Sequence, residues 1–230
     1  MKTALVTGAS KGIGREVALQ LAVKGFQVFV CARNTDAGTE TARAILSRGG
    51  KAAFLEMDVA NPGVVSEAAR NLAKHTDHLD VLINNAAIKL DGDAEMLAMS
   101  EAVFQETLQT NTMGPWRVCK AFSALLARSK APRIINVSSG GGQLADGAGG
   151  WAPAYCISKT ALNAVTSQLA VAMPNAAINS VCPGWVRTDM GGNEAPRSVQ
   201  QGADTIVWLA SEAPQSLTGK FLRDRQIIPW

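Results

Sequence analysis

Residues 3–22 read TALVTGASKGIGREVALQLA, and this stretch decides the fold. It opens with an apolar run typical of a buried strand, continues through three glycines, and ends in a stretch typical of a helix. Two functions use such a strand–turn–helix. GASKG fits the G-x-S-x-G motif with Ser10 as a nucleophile, whereas Gly8, Gly12 and Gly14 fit a turn that binds a dinucleotide.

The same alternation of apolar and amphipathic segments continues along the chain. Strands without in–out alternation are typical of a parallel sheet covered on both faces. We therefore predict a single-domain α/β fold over residues 1–230, a Rossmann-like doubly wound parallel β-sheet of about seven strands with helices on both faces. The predicted strands are 3–7, 26–32, 52–58, 79–85, 133–139, 177–182 and 220–223, and the predicted helices are 12–24, 37–48, 62–75, 100–128, 154–172 and 197–211.

Composition excludes several classes of function. The net charge of +3 is spread along the chain, and a single tyrosine is available for stacking, so we expect no nucleic-acid partner. The longest uncharged run, 160–186, contains proline and asparagine, which argues against a membrane span. The four cysteines form no C-x-x-C pair, so we expect no metal site and a reducing, cytoplasmic setting. The glycine-rich segment 140–150 is expected to be a mobile loop.

The hydrolase interpretation of the first motif lacks a base. A serine nucleophile needs a histidine, and the chain has only His75 and His78, which precede the fourth predicted strand. In a parallel sheet that position lies at the edge opposite the ligand site. The dinucleotide interpretation needs only close backbone approach and a helix N-terminus, and both are present.

The end of the second strand indicates which dinucleotide. Arg33 follows Gly14 by 19 residues, where an NAD enzyme carries an acidic residue for the ribose 2′-hydroxyl. Arginine there suits a 2′-phosphate, and Lys11 adds a second cation in the glycine turn. Either side chain also fits ordinary solvated surface. Together they favour NADP(H).

Tyr155 and Lys159 are four residues apart on a predicted helix and therefore share a face. A nearby ammonium, together with the positive nicotinamide of an oxidised cofactor, lowers the pKa of a phenol, so this tyrosine is a candidate acid/base for a carbonyl oxygen. The pair alone also fits a buried tyrosine beside a surface lysine.

Strand 133–139 ends in Ser138 and Ser139. A hydroxyl at that edge would stabilise a developing oxyanion, although serine is also ordinary at strand ends.

Pro115 lies four residues after Asn111 in the long predicted helix. Proline lacks an N–H, so the carbonyl of Asn111 loses its helical partner. That arrangement is either a kink tolerated for packing or an anchor for a water that links Lys159 to solvent.

These residues resemble the short-chain dehydrogenase/reductase family over nearly the whole chain. The motifs are T-G-x-x-x-G-x-G from Thr7 to Gly14, Asp58-Val59 after the third strand, N-N-A from Asn84, Asn111, the V-S-S strand end, Y-x-x-x-K at Tyr155 and Lys159, and P-G-x-x-x-T at Pro183, Gly184 and Thr188. The family pattern has glycine where this chain has Ala87, and the interval from Ser139 to Tyr155 is longer than in most members.

The resemblance implies roles for individual residues. Tyr155 would be the acid/base, Ser139 would polarise the carbonyl, Lys159 would lower the tyrosine pKa and bind the nicotinamide ribose, and Asn111 would hold a relay water. The implied cofactor-binding residues are Gly8, Ser10, Lys11, Gly12, Ile13, Gly14, Arg33, Asp58, Val59, Asn85, Tyr155, Lys159, Pro183, Gly184, Val186 and Thr188.

Within the family, the PGWVRTDM segment and the C-terminal GKFLRDRQIIPW are most similar to NADPH-dependent carbonyl reductases. A reductase of 3-oxoacyl thioesters and a non-catalytic NADP(H)-binding regulator are the alternatives. The substrate would be a small carbonyl or alcohol compound. Trp151, Trp185 and Met190 would form an apolar pocket for it, or are packing residues.

The helix over 160–173 carries no charge on any face. A helix on the surface of a monomer normally has a charged side. We therefore expect a homo-oligomer, a dimer or tetramer, that packs through this helix. The alternative is a monomer whose own chain covers the helix.

Overall fold

One sheet organises the protein. The computed structural model describes residues 1–145 and 147–230. Its strands are β1 Thr3–Thr7, β2 Gln27–Ala32, β3 Lys51–Glu56, β4 Val81–Asn84, β5 Arg133–Val137, β6 Ala177–Val181, β7 Lys220–Arg223 and β8 Gln226–Ile228. Within that described part the sheet has eight strands in the order β3-β2-β1-β4-β5-β6-β7-β8. Strands β1 to β7 are parallel and β8 is antiparallel to β7, which confirms the predicted Rossmann-like fold.

Helices cover both faces of the sheet. They are α1 Gly12–Val23, α2 Thr35–Leu46, α3 Pro62–Leu72, α4 Glu101–Leu108, α5 Gly114–Leu126, α6 Pro153–Ala172 and α7 Val199–Ser211. Successive strand residues point to opposite faces, so β1 contributes Ala4 and Val6 to a core beneath α1, α2 and α7. It contributes Leu5 to a second core beneath α3 and α5. Burial on both faces explains the uniformly apolar strands.

Two elements differ from the sequence predictions. The single helix predicted over 100–128 is interrupted by a π-helical turn, Gln109–Met113, because Pro115 cannot donate the backbone bond that a continuous α-helix needs. The eighth strand was not predicted. It follows a tight turn in which Asp224 and Arg225 adopt positive φ angles of 52° and 60° without the glycine that usually announces such a hairpin.

The order of the strands positions a site. The chain runs from β1 outward to β3 and then returns to β4 on the other side of β1, so a crevice opens at the carboxyl ends of β1 and β4. The glycine-rich segment 140–150 lies near this edge, and its residue 146 lies outside the described residues. Among the described helices, none has both the length and the apolar character to cross a membrane.

Candidate active site

The turn after β1 requires its glycines. Gly8 and Gly12 have positive φ angles of 63° and 55°, a backbone conformation that glycine adopts without strain. Gly14 is required by packing, because a Cβ there would lie 2.4 Å from the Gly8 carbonyl oxygen and 2.4 Å from Asn85 Nδ2. Asn85 holds the turn from the neighbouring strand, since its Nδ2 donates to the carbonyls of Thr7 (3.0 Å) and Gly8 (3.1 Å).

A groove of about 590 Å³ runs along this edge of the sheet. It brings together most of the residues for which the sequence predicts cofactor contacts. Those that line it are Gly8, Ser10, Lys11, Gly12, Ile13, Arg33, Asp58, Val59, Asn85, Tyr155, Lys159, Pro183 and Thr188. Gly14 lies beneath the turn, and Gly184 and Val186 line an adjoining cavity instead.

The two cations predicted at one end of the groove are placed differently. Arg33 is exposed at the end of β2, and its side chain makes no ion pair with any described residue. Lys11 instead pairs with Asp189 from the loop after β6, and both side chains are largely exposed. A solvent-exposed pair of this kind is weak. Arg33 is therefore the cation already free to meet an anion, and Lys11 must first leave Asp189.

Helix α6 carries Tyr155 and Lys159 on one face at the wall of the groove. Both are buried, with 8% and 2% of their surfaces exposed. The lysine Nζ lies 5.5 Å from the centre of the tyrosine ring and donates a 2.8 Å hydrogen bond to the carbonyl of Val137, the last residue of β5. The pair is thus a buried unit and excludes the alternative of a surface lysine.

Burial dominates the titration of this pair. It raises the pKa of Tyr155 to about 12, which the Ser139 side chain only partly opposes, and it lowers the pKa of Lys159 to about 7. The physical reason is desolvation, which disfavours the charged form of each group. The pKa lowering expected from Lys159 together with an oxidised nicotinamide stays a prediction.

The two serines after β5 have different surroundings. Ser138 is buried, and its hydroxyl donates to the backbone carbonyl of Lys159 at 3.3 Å. Ser139 faces the adjoining cavity together with Tyr155, and its Oγ accepts a hydrogen bond from the N–H of Gly141 at 3.1 Å. With that bond accepted, the Ser139 hydroxyl proton is available to a ligand oxygen.

Asn111 lies in the π-helical turn and is fully buried. Its Oδ1 accepts from the N–H of Ile88 at 2.8 Å, and its Nδ2 donates to the Ile88 carbonyl at 2.8 Å and to Ser158 Oγ at 3.0 Å. Ser158 in turn donates to the backbone carbonyl of Tyr155 at 2.6 Å. The asparagine thus joins the loop after β4 to the helix that carries the tyrosine, and it lines neither cavity.

The adjoining cavity, of about 720 Å³, has an apolar mouth. Trp151, Trp185 and Met190 line it and are each at least 40% exposed. The ring of Trp151 lies 5.8 Å from that of Tyr155. Large apolar side chains concentrated around one opening are typical of a binding surface, and we name this cavity the substrate pocket.

Comparison with known proteins assigns the family. The family model described as short chain dehydrogenase matches residues 2–198, most of the chain. The chain belongs to the short-chain dehydrogenase/reductase family. Members of this oxidoreductase family bind a nicotinamide cofactor.

Individual short-chain dehydrogenase/reductase relatives match over almost their whole length. A (+)-neomenthol dehydrogenase of Arabidopsis thaliana is 30% identical over 97% of this chain and 96% of its own. Among solved structures, the carbonyl reductase Sniffer of D. melanogaster has a TM-score of 0.90 and 31% identity, with all of both chains covered. An NADPH-bound carbonyl reductase from chicken fatty liver has a TM-score of 0.91 and 25% identity, with 100% and 99% covered.

One residue of this short-chain dehydrogenase/reductase site was missed by sequence reasoning. Asp93 is 6% exposed in the loop after β4, and its two carboxylate oxygens accept the backbone N–H groups of Ala154 and Tyr155, each at 2.8 Å. Helix α6 begins after Ala152, whose φ of 38° is left-handed and which offers no capping side chain. The carboxylate supplies that cap from 61 residues away, so no local pattern indicates it.

The histidines lie where the sequence places them. His78 contacts Asp77 and Asp80, and its carbonyl accepts from the Thr3 hydroxyl at the amino-terminal end of β1. Ser10 lies at the opposite edge, in the groove. A serine-hydrolase arrangement is therefore absent from the described residues.

Proposed function

We propose that the protein is an NADPH-dependent carbonyl reductase, which converts ketones or aldehydes to alcohols. One observation carries the proposal. Among the described residues, Tyr155 is the only ionisable oxygen acid that lines both the groove and the substrate pocket. A proton donor that faces a cofactor site and an apolar pocket at once is placed to act on a carbonyl held between them.

The groove fits a dinucleotide. Gly8, Gly12 and Ile13 line the groove, and α1 begins at Gly12 without a side-chain cap, so the first N–H groups of this helix are available to a phosphate. Gly8, Ser10, Lys11, Gly12 and Ile13 would hold the pyrophosphate. The remaining contacts would come from Asp58, Val59 and Asn85 on one side and from Lys159, Pro183, Gly184, Val186 and Thr188 on the other.

Arg33 is proposed to select the 2′-phosphate of NADPH. A guanidinium without an ion pair among the described residues matches a phosphate by charge and geometry. The Arg33→Asp variant is expected to lose at least about tenfold in the ratio of kcat/KM for NADPH to that for NADH, because one charge-assisted contact becomes a repulsion. Arg70→Asp, on the exposed face of α3, is the control. An unchanged ratio would show that the phosphate binds elsewhere.

Tyr155 is proposed to donate the proton. When bound, NADPH would supply the hydride for the carbonyl carbon and would thereby be oxidised to NADP⁺. The phenol, whose pKa burial raises to about 12, stays protonated at neutral pH and gives its proton to the carbonyl oxygen. The Ser139 hydroxyl donates a hydrogen bond to the same oxygen and stabilises the charge that develops on it.

Lys159 and Asn111 are proposed to support this transfer. Lys159, with a pKa near 7, gains or loses a proton at physiological pH and would restore the tyrosine proton through a water held by the backbone carbonyl of Asn111, which Pro115 leaves without its helical partner. When it is protonated, its charge stabilises the phenolate left behind. Asn111 also keeps α6 in position through its bond to Ser158.

The direct test of the function is the loss of NADPH absorbance with a panel of ketones, aldehydes and 3-oxoacyl thioesters. We expect turnover of apolar ketones or aldehydes. Turnover of the thioesters alone would replace the proposal by a thioester reductase. Tight NADPH binding without consumption on any carbonyl would indicate a regulator.

We also propose that the protein is a homo-oligomer through the uncharged helix 160–173. Val171 on this helix is 77% exposed, and Ile157, one turn before the segment, is 36% exposed. Covering such side chains favours association. Light scattering coupled to gel filtration is expected to give a multiple of 24.1 kDa, and Val171→Lys is expected to shift the mass toward the monomer.

A further inference from the structure

The charged side chains that line the substrate pocket, among the described residues, are positive. Most of its wall is apolar or made of glycine, but two cations, Lys89 and Arg223, also line it. No aspartate or glutamate of the described residues lines it. A pocket that only bound an uncharged ketone would have no use for the half-buried guanidinium of Arg223, since burying charge without a partner is unfavourable.

Arg223 lies close to the proposed reaction centre. It is the last residue of β7, and its Nη2 is 3.0 Å from the position that a Cβ on Gly140 would take. Gly140 directly follows Ser139, the proposed partner of the carbonyl oxygen. The guanidinium therefore reaches the floor of the pocket, whereas Lys89 is exposed.

The Arg223 side chain has no hydrogen-bond partner among the described residues. Its Nε is buried and unsatisfied, and its guanidinium makes no ion pair with a described carboxylate. The adjacent acid, Asp224, is occupied, because both of its carboxylate oxygens accept from Arg197 at 2.7 and 2.6 Å. Arg223 as a whole is half-buried, so its buried Nε lacks the partner that such atoms normally have, while the rest of the guanidinium faces the pocket.

We infer that the substrate is a carbonyl compound that carries a carboxylate, which Arg223 binds while Tyr155 and Ser139 engage the carbonyl. This inference rests on the proposed reductase function and names its substrate class. The planar guanidinium matches a carboxylate with two parallel hydrogen bonds, and the apolar walls suit the hydrocarbon between the two groups. Lys89 adds a second positive charge that attracts the anion to the pocket. The carboxylate itself is unchanged by the reduction.

The experiment compares each oxo acid with its uncharged methyl ester. The substrates are 4-oxopentanoate, 5-oxohexanoate and their methyl esters, with NADPH as the reductant. For wild-type protein we expect kcat/KM to be at least about tenfold higher for the better acid than for its ester. In Arg223→Met this preference is expected to fall by about 10- to 100-fold, through loss of acid turnover, while ester turnover stays within about twofold.

Matched variants separate this effect from structural damage. Arg223→Lys is expected to keep part of the acid preference, Lys89→Met to lose only a few-fold, and Arg70→Met to keep all of it. Equal turnover of acid and ester by wild type would overturn the inference, and so would an equal loss of both substrates in Arg223→Met. The Asp146→Asn variant removes a carboxylate of the glycine-rich segment 140–150, which contributes residues to the pocket. If this variant prefers the acid over the ester and wild type does not, Arg223 binds a carboxylate of its own chain and the inference is overturned.

A binding measurement distinguishes failure of the inferred carboxylate site from failure of the proposed reductase function. Pentanoate has the carboxylate but no carbonyl to reduce, and its binding is followed by calorimetry. If no carbonyl compound is turned over but wild type binds pentanoate more than about tenfold better than Arg223→Met, the anion site stands and the reductase proposal fails. If pentanoate binds both proteins equally, the anion site fails whatever the outcome for turnover.

Discussion

The groove and the substrate pocket meet at Tyr155 but are built differently. More than half of the residues that line the groove belong to short turns at the ends of β1, β2, β3 and β4, and each turn is specified by residues next to one another in the chain. Most of the rest of the groove is closed by α6 and by the segment after β6. The substrate pocket is formed by segments far apart, including residues 139–143, 147–151, 182–191 and Arg223. The loop over the pocket is held by the carbonyl of Trp230, which accepts from the N–H groups of Leu144 and Ala145.

This difference suggests which parts of the site can vary among proteins of one fold and which cannot. Backbone and glycine geometry create the groove, so few side chains there are free to change. Side chains from separate loops create the pocket, so its charge and shape can change without disturbing the sheet. We therefore expect substitutions of the glycines in the groove to affect folding and cofactor binding together, and substitutions of pocket side chains other than Ser139 and Tyr155 to affect substrate preference.

The groove side of this comparison is tested by Gly14→Ala. The added Cβ would lie 2.4 Å from both the Gly8 carbonyl oxygen and Asn85 Nδ2, so the turn must shift. We expect a loss of about 3 kcal/mol or more in the free energy of unfolding, together with loss of NADPH binding. The measurements are urea denaturation and cofactor fluorescence.

Gly63→Ala in α3 is its control, since the nearest atom to its new Cβ is a side-chain oxygen at 3.3 Å. It is expected to unfold and bind cofactor as wild type does. If Gly14→Ala also does so, close packing at the turn does not form the groove.

The junction between the two regions is tested by Asp93→Asn. The amide keeps one acceptor oxygen and places an NH₂ group against the second backbone donor, so one N–H at the start of α6 loses its partner. We expect a loss of about 2–3 kcal/mol in the free energy of unfolding and a lower kcat, because the helix start that carries Tyr155 loosens. Asp91→Asn, at an exposed position two residues earlier, should change neither quantity. Equal effects of the two variants would remove Asp93 from the site.

The smallest expected effect concerns the burial of Lys159. The unfolded side chain titrates near 10.5 and the folded one near 7, so between these pH values the unfolded chain holds a proton that the folded protein does not. Stability must therefore rise with pH across this window. From pH 7 to 9, wild type should gain on the order of 1–2 kcal/mol relative to Lys159→Met in urea denaturation. Lys51→Met, at an exposed position, is the control and should show the same pH dependence of unfolding free energy as wild type. If the pH dependence of Lys159→Met is also the same as that of wild type, Lys159 is charged in the folded protein.

Much of the fold was predictable because its signals are local. Seven strands, the parallel sheet and most of the groove follow from apolar runs, glycine turns and the charge at Arg33. The turn before β8 was missed because Asp224 and Arg225 take left-handed conformations without glycine. The break in the long helix was visible only as Pro115, and the sequence did not show that a π-helical turn would form there.

The candidate site was predictable in its members more than in its electrostatics. The sequence predicted that Tyr155 and Lys159 lie side by side. It did not show that both are buried, which raises the pKa of the tyrosine and lowers that of the lysine. Sequence reasoning missed Asp93 and Arg223 because their importance depends on the fold. Asp93 caps a helix that is distant in the chain, and Arg223 has no hydrogen-bond partner among the described residues. Such contacts leave no periodic pattern in the chain.

The most direct test of the account is the Tyr155→Phe variant. It removes one hydroxyl and keeps the ring that packs near Trp151. We expect kcat/KM for a carbonyl substrate to fall by about 10²- to 10⁴-fold, while the dissociation constant for NADPH stays within about threefold of wild type. If the variant keeps more than about a tenth of the wild-type kcat/KM, Tyr155 is not the proton donor and the proposed mechanism is wrong.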